Sequence, residues 1–160
     1  MESQASWIKY LSLIPHPEGG YYSENYRSGN EYIDLKYSGP RNLATSIYYM
    51  LDSNQVSKLH RLKSDEIWYF HYGSPLRVHV FNTNSYDFFT LGTNFRENQL
   101  LQLVIPAGAI FGAEVLEQNS FTILGCMVSP GFHFNDFELI RVESILANFP
   151  ALNSVIQKLT

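Results

Sequence analysis

His60 and Glu66, on either side of the run Arg61-Leu62-Lys63-Ser64-Asp65, are the pair in this sequence best suited to chemistry. An imidazole titrates near neutrality, and a nearby carboxyl group can orient it or exchange a proton with it. The same two groups could supply half of a divalent-metal site. A tightly held transition metal needs three or four converging protein ligands, so a metal would also have to recruit His79 or His133 from other strands. On a strand, Glu66, Trp68 and Phe70 share one face while Ile67, Tyr69 and His71 share the other. If Glu66 faces the interior, His71 faces away. Read singly, His16, His71, His79 and His133 are hydrogen-bonded surface or core residues. Arg61 either binds a ligand carboxylate or phosphate or pairs with Asp65 or Glu138. Trp68, Phe70, Phe111, Phe132 and Phe134 are candidates for the walls of an apolar pocket in which a flat ring can stack. Gly19 and Gly20 read as backbone-turn residues, and Cys126 as an inert core thiol.

The elements that must position these residues are mostly strands. Tyr21 to Tyr26, Ala44 to Leu51, Ser57 to His60, Glu66 to Tyr72, Leu76 to Phe81, Tyr86 to Leu91, Leu100 to Ile105 and Phe121 to Ser129 are rich in aromatic and β-branched residues. Gly73-Ser74-Pro75, Asn82-Thr83-Asn84 and Pro106-Ala107-Gly108 punctuate them. Short strands at this spacing with no helices between them predict an antiparallel sandwich or barrel. Helical spacing is confined to the ends. Trp7, Ile8 and Leu11 predict a short first helix with Ser6 as its cap, and the apolar spacing from Val142 to Leu159 predicts a helix or a broken pair around Pro150.

The chain has 160 residues, enough for one domain with its own core. Its 11 tyrosines, 11 phenylalanines and two tryptophans exclude intrinsic disorder, which lacks the apolar surface to offset chain entropy. Fifteen acids against 11 bases give a net charge of −4 with no basic cluster, so nucleic-acid binding through bulk charge is not expected. A single cysteine excludes an intrachain disulfide framework and fits a reducing compartment. No secretory leader or membrane span is expected either, which predicts a cytoplasmic protein without a membrane partner.

His60, Glu66 and Gly73 fall on three places of the first cupin motif, with Leu62 where a second histidine stands in that motif. Pro106-Ala107-Gly108-Ala109-Ile110-Phe111 resembles the second motif, with Phe111 in the place of its last ligand histidine. Together with His16-Pro17-Glu18-Gly19-Gly20-Tyr21-Tyr22, Gly73-Ser74-Pro75-Leu76-Arg77-Val78-His79, Gly125-Cys126 and Ser129-Pro130-Gly131-Phe132-His133-Phe134, these motifs resemble the cupin-5-like family of unassigned function. The resemblance spans nearly the whole chain. One departure is Tyr69, where the family more often has a histidine after the tryptophan.

The resemblance implies a mainly β, double-stranded β-helix (a cupin or jelly-roll barrel) with short N- and C-terminal helices, forming a single domain over residues 1–160. It also implies a homodimer and a pocket in the barrel mouth. Metal-independent cupin epimerases, similar only at the level of fold, remove a proton with a histidine and return it with a tyrosine. Tyr48 leads the candidates for that second role, followed by Tyr22 and Tyr72. The expected function is binding of a small molecule in an aromatic pocket through His60, Glu66, Tyr48, Arg61, Trp68, Phe111, Phe132 and Phe134. Whether the pocket is catalytic stays open, isomerase or epimerase chemistry without a cofactor being the activity it would carry. The alternatives are a metal-dependent enzyme using His60 and Glu66, and a noncatalytic scaffold.

Overall fold

The computed structural model describes residues 2–160. Thirteen strands and three short α-helices follow one another in the order helix, strands, helices. They are α1 (Gln4–Tyr10), β1 (Ile14–Pro15), β2 (Tyr21–Arg27), β3 (Glu31–Tyr32), β4 (Arg41–Asn42), β5 (Thr45–Asp52), β6 (Val56–Leu62), β7 (Asp65–Gly73), β8 (Leu76–Phe81), β9 (Tyr86–Leu91), β10 (Gln102–Ile105), β11 (Ile110–Val115), β12 (Phe121–Ser129), β13 (Phe137–Leu139), α2 (Val142–Leu146) and α3 (Asn153–Lys158).

Two sheets face each other. One runs β1-β2-β5-β12-β7-β10 and the other β13-β6-β11-β8-β9, while β3 and β4 form a separate hairpin. The neighbouring pairs are antiparallel, and hydrogen bonding does not close the sheets into a continuous barrel. Alternation along each strand sends one set of side chains between the sheets. Tyr49, Leu51, Trp68, Ile105, Leu124 and Cys126 come from the first sheet and meet Leu76, Val78, Val80, Leu91, Phe111 and Ala113 from the second. Burial of this shared layer stabilises the fold by ~25 cal/mol per Å² of apolar surface removed from water.

The terminal helices cover the outer faces. Trp7, Ile8 and Leu11 of the N-terminal segment pack on Met50 and Ile123, behind the first sheet. Ile145, Ile156 and Leu159 pack on Leu59 and Phe81, behind the second. The C-terminal pattern resolves into α2, a 3₁₀ turn over Pro150–Leu152 and α3, the broken pair expected around Pro150. The first helix is capped by Ser3, whose side chain accepts from the Ser6 amide, and not by Ser6.

Besides the short strands β1, β3, β4 and β13, one longer strand, β11, escapes the sequence pattern. In β11, Gly112 and Ala113 dilute the apolar alternation, yet it lies between β6 and β8. A Cβ on Gly112 would stand 2.8 Å from the Ser57 carbonyl oxygen, so glycine lets these two strands approach.

Candidate functional site

A cavity of about 180 Å³ opens between the sheets at the end where β2, β5, β6, β7 and β12 converge. Alternation selects its lining: Thr45, Ile47 and Tyr49 from β5, His60 and Leu62 from β6, Glu66 and Trp68 from β7, and Cys126 and Val128 from β12. Phe132, Phe134 and Phe137 form an aromatic lip, with Phe132 and Phe134 edge-on at 5.0 Å between centroids. A buried ion pair steadies the neighbouring loops. Arg41 grips Asp136 through two nitrogens, one of them 3.0 Å from Oδ1.

Glu18 is the centre of the polar cluster. Gly19 and Gly20 have φ of +110° and +70°, and a Cβ on either would stand within 2.6 Å of a backbone oxygen, Val56 O or Met50 O. Only glycine allows the turn to press this closely on β5 and β6. The turn thereby delivers the Glu18 carboxyl group between the sheets, where Oε1 accepts from the Ser57 hydroxyl at 2.9 Å. Its Oε2 lies 3.2 Å from His60 Nε2 and 3.5 Å from His16 Nδ1.

The hydrogen-bond pattern places the protons. His60 Nδ1 is 2.7 Å from the Lys58 carbonyl oxygen, which only accepts, so Nδ1 carries a hydrogen. Its Nε2 then faces Glu18 Oε2 across the 3.2 Å ion-pair contact. His16 Nδ1 accepts from the Glu18 amide at 3.3 Å, which puts its hydrogen on Nε2. Burial holds His16 below the ordinary imidazole range, with Glu18 pulling it up and His60 pushing it down.

Glu66 is in a different state. Burial, reinforced by the Glu18 charge, pushes its carboxyl up from 4.5 to about 8, so it is a neutral acid at pH 7. The adjacent Trp68 indole draws it slightly the other way, although its Nε1–H has no partner in hydrogen-bonding geometry. The Tyr49 hydroxyl donates to the Gly19 carbonyl oxygen at 2.9 Å, and burial beside Glu18 raises its pKa well above the usual phenol value. Burial, with Glu66 and Glu18 nearby, also pushes the Cys126 thiol up, so this cavity-lining cysteine is unreactive.

Most of the residues proposed from the sequence reach the cavity. His60, Glu66, Trp68, Phe132 and Phe134 line it, and Phe111 packs behind His60 with ring centroids 4.1 Å apart. Phe70 and Tyr72 lie outside the cavity lining, whereas Tyr22 is part of it, and three further expectations are corrected. His60 pairs with Glu18 and not with Glu66, because the Gly19-Gly20 turn carries Glu18 to Nε2. Tyr48 lies on the opposite face of β5 from Tyr49, packed in the outer layer with α1, so it cannot serve the cavity. Arg61 is turned to solvent and paired with Glu138 at 2.7 Å. The arginine that does reach the cavity is Arg27, tied to Glu24 and Asn42 at its rim. Sequence reasoning assigned no chemistry to Glu18, His16 or Tyr49. The signal for Glu18 was an acid immediately before two glycines that lead into a strand.

The donors do not fit a resident transition metal. Leu62 and Phe111 present carbon where the cupin motifs present histidine, and His60 Nε2 is committed to Glu18. His79 is held on the second sheet by Tyr86 at 2.8 Å and Glu114 at 3.3 Å, and His133 Nδ1 accepts from the Asn135 amide. Among the described residues, no group of three or more His, Cys, Asp or Glu side chains is arranged to hold a metal ion.

Residues 5–140 match the family model Cupin_5, described as Cupin superfamily (DUF985). The chain belongs to the Cupin_5 family. Two solved structures resemble it over essentially their whole length. One is protein SO0799 from Shewanella oneidensis, at 38% identity and a TM-score of 0.91, covering 100% of this chain and 98% of that one. The other is a hypothetical protein from Leishmania major, at 35% identity and 0.92, covering 99% of each. An uncharacterized protein of Saccharomyces cerevisiae is 27% identical over 152 residues, 87% of this chain and 76% of the yeast protein. Oxalate decarboxylase from Bacillus subtilis, at 21% identity and a TM-score of 0.57, shares the cupin fold over 91% of this chain and 37% of its own.

Proposed function

We propose that this Cupin_5 protein binds a small, single-ring organic molecule between its sheets and moves a proton on it without a metal, as an isomerase or epimerase does. One observation carries the reading: two buried carboxyl groups in unlike surroundings face the same aromatic cavity. Glu18 Oε2 stands 3.2 Å from His60 Nε2, whereas burial keeps Glu66 a neutral acid. Titratable groups whose surroundings separate them in this way divide the roles of base and acid. The Glu18–His60 pair takes a proton from the ligand and Glu66 gives one. The reverse exchange restores both, so no net proton or electron is consumed.

The cavity sets the ligand's size. A cavity of roughly 150 Å³ holds one benzene-sized ring, so about 180 Å³ takes a single ring and leaves larger appendages beyond the aromatic lip.

A thermal-shift screen of single-ring compounds tests this reading. At least one compound is expected to stabilise both the wild type and Tyr48→Phe by several degrees while leaving His60→Ala unmoved. Equal responses from all three would refute the acid–base assignment. A complete lack of responders would favour the scaffold reading.

Two further expectations belong to this proposal. Elemental analysis of untagged protein should find metal well below one equivalent, and added divalent metal should not improve ligand response. A stoichiometric metal whose removal abolishes binding would favour the metal-dependent reading. We also expect a homodimer, because β1 leaves a strand edge at the end of the first sheet with Ile14 exposed. Light scattering should return twice the 18.4 kDa chain mass at micromolar concentration, and a value of 18.4 kDa would contradict it. The single buried cysteine fits a reducing, cytoplasmic setting.

A further inference from the structure

Trp68 is 1% exposed and lines the cavity, and its Nε1–H lacks a hydrogen-bond partner. A buried donor left in this state forfeits a hydrogen bond it would make in water, so it marks a place where a ligand or an ordered water belongs. Trp7 Nε1 is also unpartnered, but Trp7 belongs to α1 and packs in the outer layer, away from the cavity. Glu66 precedes Trp68 by two positions on the same face of β7, and a protonated carboxyl group carries an O–H donor of its own.

The charges nearby define what these donors can receive. The interior holds Glu18, while Arg27 at the rim is already engaged by the Glu24 carboxylate and the Asn42 side chain. An anionic group drawn down to Trp68 would be buried near carboxyl groups without a free cation. A carbonyl oxygen has two lone pairs and no charge, so it can accept from both donors at once.

Building on the pocket reading above, we propose that Trp68 Nε1–H and the Glu66 carboxyl group together receive one uncharged oxygen, and that the ligand is a neutral single-ring carbonyl compound such as a cyclic ketone. The proton transfer is then balanced. The Glu18–His60 pair takes a proton from the carbon next to the carbonyl, the C–H electron pair becomes a C=C bond, and the carbonyl π pair moves to oxygen, which takes the Glu66 proton. Return of the proton to carbon with recovery of the Glu66 proton regenerates the carbonyl and both residues.

The test uses ¹H–¹⁵N spectra of the full chain. The two indole signals are assigned with Trp68→Phe, and the probes are cyclohexanone and methylenecyclohexane, which has the same shape but no oxygen acceptor. Cyclohexanone is expected to shift the Trp68 indole proton downfield and leave that of Trp7 in place. Methylenecyclohexane is expected to bind without the downfield shift. Trp68→Phe and Glu66→Leu should each weaken cyclohexanone binding by about fivefold or more, with methylenecyclohexane affinity unchanged in Trp68→Phe. If both probes bind the wild type and Trp68→Phe alike, the two-donor site is overturned and the pocket reading stands. Unchanged cyclohexanone affinity in Glu66→Leu overturns the share given to Glu66, and no response to either probe overturns both readings.

Discussion

Replacement of Glu18 by alanine is expected to lower stability by about 3 kcal/mol, the cost of breaking a buried ionic contact by removing one partner. The carboxyl group is almost fully buried and serves Ser57, His60 and His16 together, so its loss leaves a hydroxyl and two imidazoles facing an empty corner. Glu18→Gln preserves the shape and the contact with Ser57 and should cost about 1 kcal/mol. Both variants should lose the ligand response, and any turnover should fall by a factor of about 10² or more. Glu24→Ala is the control, since it removes an acid from the half-exposed pair with Arg27 and should change stability by about 1 kcal/mol at most. Urea unfolding of the three variants checks the ranking. Equal costs for Glu18→Ala and Glu24→Ala would contradict the central place given to Glu18.

Glu66 gives the second large effect, through pH. In the unfolded chain its carboxyl releases a proton near the ordinary 4.5, whereas in the native protein it does so near 8. Between those values the native state holds more protons than the unfolded state. Stability therefore falls as pH rises through this window, by about 1.4 kcal/mol per pH unit and about 4 to 5 kcal/mol in all, and this group contributes no further change above it. Glutamine matches the protonated acid in shape and does not titrate. Glu66→Gln and the wild type should therefore be within about 1 kcal/mol of each other near pH 5, with the variant ahead by several kcal/mol above pH 8. Urea unfolding across the range measures the gap, and a gap that does not change with pH would show that Glu66 is not buried as an acid.

The architecture was legible because most strands carry the period of two. Leu76–Phe81, Tyr86–Leu91 and Phe121–Ser129 have the bounds their composition predicts. The same parity argument placed Glu66 with Trp68 on the cavity side and sent His71 outward, where its ring meets Tyr48. Parity failed as a guide to Tyr48 because nothing in the strand's composition tells which of the adjacent Tyr48 and Tyr49 points inward. Contact with α1 on one face and with the opposing sheet on the other decides it. Glu18 was illegible for another reason. It reaches His60 through a turn, not along a strand, and the close backbone approach that requires Gly19 and Gly20 exists only once β5 and β6 are in place. Arg61 matched a ligand-binding role by charge alone, while its strand position left it beside Glu138 at the surface.

The aromatic wealth of the chain has a division of labour in the fold. Trp68, Tyr49 and Phe111 fill the layer between the sheets, and Phe132, Phe134 and Phe137 rim the cavity. The low dielectric they create is what keeps a carboxylic acid neutral at pH 7 next to an acid–imidazole pair.

The most direct test of that arrangement is the titration of Glu66 itself, followed through the ¹³C shift of its side-chain carboxyl carbon and assigned by its absence in Glu66→Gln. A midpoint near 8 is expected. A midpoint near 4.5 would make Glu66 an ordinary carboxylate at neutral pH, and the division of acid and base between Glu66 and the Glu18–His60 pair would fall.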